Sequence, residues 1–274
     1  MPDKDAFLKS KPKTSLMLCA NFGEGKTTVA ISFPKFFYIG FRQGGLEVLR
    51  QPKNEKYWNN LVRYEELVPE TDEDLLDIHQ PEKGSKDGQI KNRLARLVKE
   101  ATEMTKKGEV ETLILDDSTD WVETKQKYVW KFREKKSDKT GNIDTMSMYG
   151  DLKNLVSDDL DRIIMPYRKH GNLVFITHLV RETDQTMQTA AIVDKTTNLN
   201  PDIVGAFRRE IHRKFENVIF MESVVRQGER KFVGYTQKQA AMGTIILAKN
   251  VLGLPPVIDN LTYETLMANV NKVK

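Results

Sequence analysis

The segment SLMLCANFGEGKTTVAISF, residues 15–33, constrains this chain more than any other. It opens as a short apolar run, passes through two glycines and a lysine, and continues into residues that suit a helix. Its centre, A-N-F-G-E-G-K-T at 20–27, departs from the phosphate-loop pattern G-x-x-x-x-G-K-[ST] only at its first position. A strand feeding a glycine loop and then a helix is the context that pattern requires, because backbone N–H groups then turn toward an anion. Gly23 and Gly25 permit that turn, Lys26 reaches β and γ phosphates, and Thr27 offers a hydroxyl to Mg²⁺. Asn21, Phe22, Gly23, Glu24, Gly25, Lys26, Thr27 and Thr28 are therefore the expected grip on a nucleoside triphosphate. Alanine at position 20 costs something only where a positive φ is needed.

The rest of the chain supplies a sheet for that loop. FFYIGF (36–41), VETLILDD (110–117) and LVFITH (173–178) read as strands. Between them, Ile90, Leu94, Leu97, Val98, Ala101 and Met104 recur at helical spacing, with Gly108 as a stop. A second long helix is expected from about Tyr149 to His170. NVIFMESVV (217–225) and RKFVGYT (230–236) suggest a hairpin around QGE, and the C-terminal TYETLMANVNKV a short amphipathic helix. Residues 42–88 read as an irregular polar insertion, and 181–200 as a polar loop. Strands alternating with helices predict an α/β fold, a mostly parallel sheet flanked by helices, in a single domain over 1–274. Ligands in such folds sit at the carboxyl ends of the strands.

Composition narrows the class. The 274 residues hold one cysteine, Cys19, which excludes an internal disulfide framework and suits a reducing compartment. No apolar run is long enough for a membrane span, and the N-terminal MPDKDAFLKSKPK lacks the apolar core of a secretion signal. A cytoplasmic chain without membrane association is expected. The net charge of +4 permits nucleic-acid binding without establishing it. Its distribution is more telling: KFREKKSDKT (131–140) has five Lys/Arg against two acids, whereas EELVPETDEDLLD (65–77) is strongly acidic.

Two strand ends carry further chemistry. LILDD ends in Asp116 and Asp117, and either could hold Mg²⁺ opposite Thr27. Side chains alternate along a strand, so one of the two is expected to face the site. Asp116 is taken as the metal-side acid, and Asp117 as a water-orienting or capping residue. In FITH, His178 stands where many phosphate-loop ATPases place a polar γ-phosphate sensor, with Thr177 as a companion.

In this order the motifs resemble the RecA-like recombinase core, and more closely the phage-type RecA-like nucleotide-binding proteins, some of them associated with single-strand annealing. The resemblance rests on N-F-G-E-G-K-T-T, F-P-K-F-F-Y-I, L-I-L-D-D-S-T-D-W, M-Y-G-D-L, V-F-I-T-H, P-D-I-V-G, F-E-N-V-I-F-M and A-K-N-V-L-G-L-P. It implies a RecA-like P-loop NTPase core that uses ATP and Mg²⁺ and assembles into a ring or filament. It also implies DNA contacts in two segments, at about 131–147 and 181–200. The first offers Lys131, Arg133, Lys135, Lys136 and Lys139, with Trp130 and Phe132 as stacking faces; the second offers Arg181 and Lys195. Lys249 matches a lysine that reaches a neighbouring subunit's ATP, with Arg208 and Arg209 as rivals.

One departure stands out. The family commonly places an acid, often glutamate, in or just after the second strand to activate water. This chain has Gly40, Arg42 and Gln43 there, and Glu47 or Asp117 would have to substitute. Hydrolysis is therefore expected to be slow or to depend on DNA and assembly. The leading expectation is an ATP-binding, single-stranded-DNA-binding protein of phage-type recombination or replication, in the host cytoplasm if phage-encoded, with a single-strand-binding or recombination protein as a further partner. The alternative is a nucleotide-regulated interaction protein without direct DNA binding. A small-molecule kinase ranks third, because no arginine-rich lid is evident.

Overall fold

The computed structural model describes residues 13–80, 92–132, 144–188, 191–203, 207–242 and 244–272. Its strands are β1 (Ser15–Cys19), β2 (Phe36–Gly40), β3 (Leu61–Glu66), β4 (Thr112–Asp116), β5 (Asn172–Thr177), β6 (Leu179–Gln188), β7 (Ala191–Pro201), β8 (Asn217–Arg226), β9 (Glu229–Tyr235), β10 (Gln239–Ala241), β11 (Thr244–Ile246), β12 (Lys249–Asn250) and β13 (Val257–Ile258). Its α-helices are α1 (Lys26–Ala30), α2 (Asp72–His79), α3 (Arg93–Lys106), α4 (Ser118–Phe132), α5 (Thr145–Asp159), α6 (Phe207–Glu210) and α7 (Tyr263–Lys272).

The main sheet runs β13-β9-β8-β1-β5-β4-β2-β3, with β12 pairing β8. The six strands from β8 to the edge strand β3 are parallel, and β9, β12 and β13 add antiparallel pairings at the other side. The strands are apolar on both faces because both faces are covered. Met17, Cys19, Phe37, Ile39, Leu113, Leu115 and Phe175 pack with Leu97 of α3, Trp121 of α4 and Leu152 of α5. The alternate residues Leu16, Leu18, Tyr38, Ile114, Val174 and Ile176 pack with Val29 of α1 and Leu266 of α7. The expected mostly parallel, helix-flanked α/β sheet is thus the observed one. Cys19 is fully buried, and burial pushes its thiol up, so it is an inert packing residue.

Four local expectations need correcting. Residues 61–66, placed in an irregular insertion, form the edge strand β3 beside β2. The polar letters misled: Arg63 bonds Glu65 and Glu100, and Glu65 also meets Arg93 at 3.3 Å, so this face is an ion-pair lattice rather than a loop. The polar tract 181–200 forms β6 and β7, paired antiparallel from Leu179–Pro201 to Gln188–Ala191. They join β10 and β11 in a separate four-stranded sheet. The tract's threonines, valine and isoleucine favour extended backbone, but its letters show no apolar alternation, so the period of two was hidden. The helix after the glycine loop is only five residues long, since Pro34 disfavours helical backbone at the residue before it. The second long helix starts earlier than expected, at Thr145. After Asp159 it passes into a π turn (Leu160–Ile164) and a 3₁₀ turn (Met165–Lys169) that holds Pro166.

Candidate nucleotide site

The carboxyl ends of β1, β2, β4 and β5 open onto one cleft of about 380 Å³. Phe22, Gly23, Gly25, Lys26, Thr27, Thr28, Arg42, Asp116, Asp117 and His178 line it, together with Arg230 and Phe232 of β9. Asn21 and Glu24 were expected in the grip but do not line it. Asn21 contributes only its carbonyl, which accepts from Lys26, and the Glu24 carboxylate accepts from the Ser223 amide at 2.5 Å. Glu24 thereby ties the loop to the β8–β9 hairpin.

Gly25 carries φ +83°, and an added Cβ there would lie 2.1 Å from the Phe232 ring. Both backbone sign and space therefore demand glycine. Ala20 is not among the positive-φ residues, so the missing first glycine costs nothing in conformation. Its carbonyl instead accepts from Lys26 Nζ at 3.1 Å. The five-residue α1 is too short to supply much of a helix dipole, which leaves the loop's own N–H groups as the main anion donors.

Lys26 is nearly buried, and its ammonium has three donors. They meet three acceptors: Ala20 O at 3.1 Å, Asn21 O at 3.1 Å and His178 Nδ1 at 2.9 Å. Burial pulls the Lys26 pKa down, while the carboxylates of Asp117 and Asp116 act against it. On its other side, His178 Nε2 lies 2.6 Å from Asp117 Oδ2. With Nε2–H donating to Asp117, Nδ1 is left to face the Lys26 ammonium.

The two acids play different parts, and both line the cleft. Strand alternation does not separate them, because β4 ends at Asp116 and Asp117 lies beyond it. Asp116 Oδ2 accepts from the Thr27 hydroxyl at 2.5 Å and from the Tyr38 hydroxyl at 2.9 Å. Burial raises its pKa, and these two hydrogen bonds act against that. Burial also pushes Asp117 up, but the hydrogen bonds from His178 and the Asp120 amide, with the Lys26 charge, more than offset it. Asp117 is thereby held in its ionised form. The Thr27–Asp116 pair, cupped by Tyr38, is an oxygen donor set of the kind that suits Mg²⁺. A bound cation would also relieve the cost of a buried Asp116 carboxylate.

Sequence reasoning missed Tyr38, Asp120, Arg230 and Phe232. The last two come from a hairpin about two hundred residues downstream, and no local pattern announces them. Asp120 follows the acid pair as the third residue of α4, with its Oδ2 buried and without a hydrogen-bond partner. Burial and the neighbouring Asp117 carboxylate push its pKa up to about 6. The folded chain thus holds this proton where the unfolded chain has released it, so ionisation costs stability as pH rises from about 4 to 6. Asp120→Asn is expected to raise the melting temperature by a few degrees at pH 7. That gain should shrink as pH falls through 6 and vanish below about pH 4. Thermal melts of both proteins across this range check it; a pH-independent difference would contradict the assignment.

Other expected residues fall elsewhere. Thr177 is fully buried and donates to the His178 carbonyl, so it does not reach the cleft. Glu47 is exposed, lies 3.5 Å from Arg50 and lines a neighbouring groove with Trp58 and Tyr64, not the cleft. Lys249 Nζ donates to Phe215 O at 2.6 Å within its own chain, outside the cleft lining. Lys131 is tied to Asp72. Trp130 packs edge-on against Tyr149 and Phe132 against Tyr128, so neither is a free stacking face. Arg133, Lys135, Lys136 and Lys139 lie outside the described residues, and for Arg181 and Lys195 only the strand backbone is described.

A protein-family model described as an AAA domain matches residues 12–244, most of the chain and every element of the cleft. The chain belongs to this AAA domain family. The family and the cleft together make it a P-loop ATPase domain. No curated protein matches it. Among solved structures, a KaiC-like protein from Pyrococcus horikoshii OT3 is similar over 81% of this chain and 77% of its own, at 9% identity and a TM-score of 0.38. No helix among the described residues of this AAA domain is long and apolar enough to cross a membrane.

Proposed function

We propose that this AAA domain binds ATP with Mg²⁺, binds single-stranded DNA in its ATP-bound state, and assembles into a ring or filament in phage-type recombination or replication. The observation that carries the nucleotide part is the single cleft holding Lys26, Thr27, Asp116, Asp117 and His178. Gly23 to Thr28 would cradle the phosphates, Lys26 would neutralise them, and Thr27 with Asp116 would hold the metal. Bound Mg²⁺ supplies charge neutralisation at the phosphoryl oxygens. Asp117 holds the proton of His178 Nε2 and so orients the imidazole beside Lys26. Since β2 ends without an acid, turnover is expected to be slow, and ATP serves mainly to order the assembly.

The DNA part rests on the basic segment 131–140 that follows the acid-ending strand, and on the order of motifs along the chain. A cytoplasmic location follows from the same role. The test is a gel shift with a single-stranded oligonucleotide, with and without ATP, over a salt series. Binding that requires ATP and weakens steeply with salt is expected; no binding in either state overturns it.

A second reading, a nucleotide-regulated interaction protein, has one observation in its favour. Lys131 is already paired with Asp72 of the acidic segment, so part of the basic charge is spent within the chain. Failure of the gel shift together with intact nucleotide binding selects this reading.

A further inference from the structure

The end of β2 poses a structural question. Tyr38 donates its hydroxyl to Asp116, and its ring folds back over Gly40. A Cβ added at Gly40 would lie 2.9 Å from Tyr38 Cε1. A water-activating acid at Gly40 would therefore displace the tyrosine that supports the metal-side carboxylate. β2 ends at Gly40, Phe41 is buried in the core, and Arg42 follows it.

Arg42 is exposed and lines the phosphate-loop cleft. Its guanidinium lies 5.4 Å from the centroid of the Phe22 ring, and Phe22 stacks on His178 with centroids 5.9 Å apart. Arg42, the tip of the glycine loop and the imidazole beside Lys26 thus form one stack. Arg42 makes no ion pair with any described residue. Its charge nonetheless acts on Lys26, on Tyr38 and on Asp120, so it stands within the electrostatics of the site. A planar fork of donors, held on an aromatic face and left without a carboxylate, is suited to phosphate oxygens.

We propose that Arg42 contacts the terminal phosphate of the bound nucleoside triphosphate, and so makes this chain distinguish a triphosphate from a diphosphate. It does so in the place where an acid would otherwise activate water. The proposal rests on the nucleotide reading above and adds to it which phosphate is read and by what. An arginine here neutralises charge but takes no proton, which fits a switch better than a rapid hydrolase.

Isothermal titration of the full chain with Mg²⁺ and either a non-hydrolysable ATP analogue or ADP tests it. The wild type should favour the triphosphate. Arg42→Ala should lose about 10- to 100-fold affinity for the analogue, in line with loss of a charged hydrogen-bond partner, while its affinity for ADP stays nearly unchanged. Arg42→Lys keeps the charge without the fork and should fall between them. Melting curves without nucleotide should nearly coincide for the three proteins, because Arg42 is exposed and stacks on Phe22, which is itself largely exposed. Equal loss for both ligands, or no loss, overturns the proposal. A wild-type chain that binds neither ligand overturns the nucleotide reading itself, which is a separate result.

Discussion

Lys26→Ala is expected to weaken ATP binding by roughly 30- to 5,000-fold. The estimate follows from removing one partner of a desolvated charge pair, about 2–5 kcal/mol. The wild-type ammonium is nearly buried, and its three donors already point at the loop carbonyls and His178. It stands at the head of the cleft before any phosphate arrives, so little ordering remains to be done on binding. The same substitution should leave the nucleotide-free fold nearly as stable. Burial disfavours the charged lysine in the folded chain, and that cost disappears with the side chain. Thermal melts separate the two effects. At 100 times its dissociation constant a ligand adds about 2.7 kcal/mol, which is roughly 5–10 °C for a chain of this size. Wild type should show that shift with Mg²⁺ and ATP, and Lys26→Ala should not, from a similar starting temperature. A variant that still shifts would mean that the nucleotide is held elsewhere.

How much of this was legible in the sequence depends on the range of the interactions. The phosphate loop, the acid-ending strand and His178 each sit at the end of an apolar run, and burial of that run on both faces makes it visible. The sheet and most of the cleft therefore followed from short patterns. The edge strand β3 and the β6–β7 pair did not, because their stability comes from ion pairs or from backbone pairing, which leave no apolar period. Tyr38 was readable as a strand residue, but its hydroxyl finds Asp116 on the neighbouring strand β4, far off in sequence. Ala20 looked like the anomaly of the loop, yet its conformation is ordinary and its carbonyl serves Lys26. The larger departure from the expected pattern lies at Gly40 and Arg42, and a Cβ at Gly40 would lie 2.9 Å from the Tyr38 ring. The residues expected to face DNA were named from the order of motifs and from local charge, and those whose side chains are described, Lys131, Trp130 and Phe132, are engaged with their own fold.

The second large effect lies away from the cleft, where sequence reasoning had no purchase. Lys125 of α4 is fully buried and paired with Asp159 of α5, with the Trp121 ring 5.8 Å from its ammonium. Nearby, His79 of α2 bonds the Thr124 hydroxyl at 2.8 Å. Burial and the Lys125 charge hold His79 well below its ordinary pKa, so it is neutral. Three helices thus converge on one buried cation. Asp159→Ala would leave that cation without its carboxylate in a dry interior, at a cost of about 3–5 kcal/mol. Such a loss should lower the melting temperature by roughly 6–20 °C. Two buried charges cost more to desolvate than one apolar pair, so Lys125→Met with Asp159→Leu should recover most of that loss. Melts of the single and double variants decide the matter. If the double variant is as unstable as Asp159→Ala, the pair is needed for its hydrogen bonds rather than merely compensated in charge. Such a result would make the junction of α2, α4 and α5 a polar lock on the helical layer beneath the sheet, one that apolar packing cannot replace.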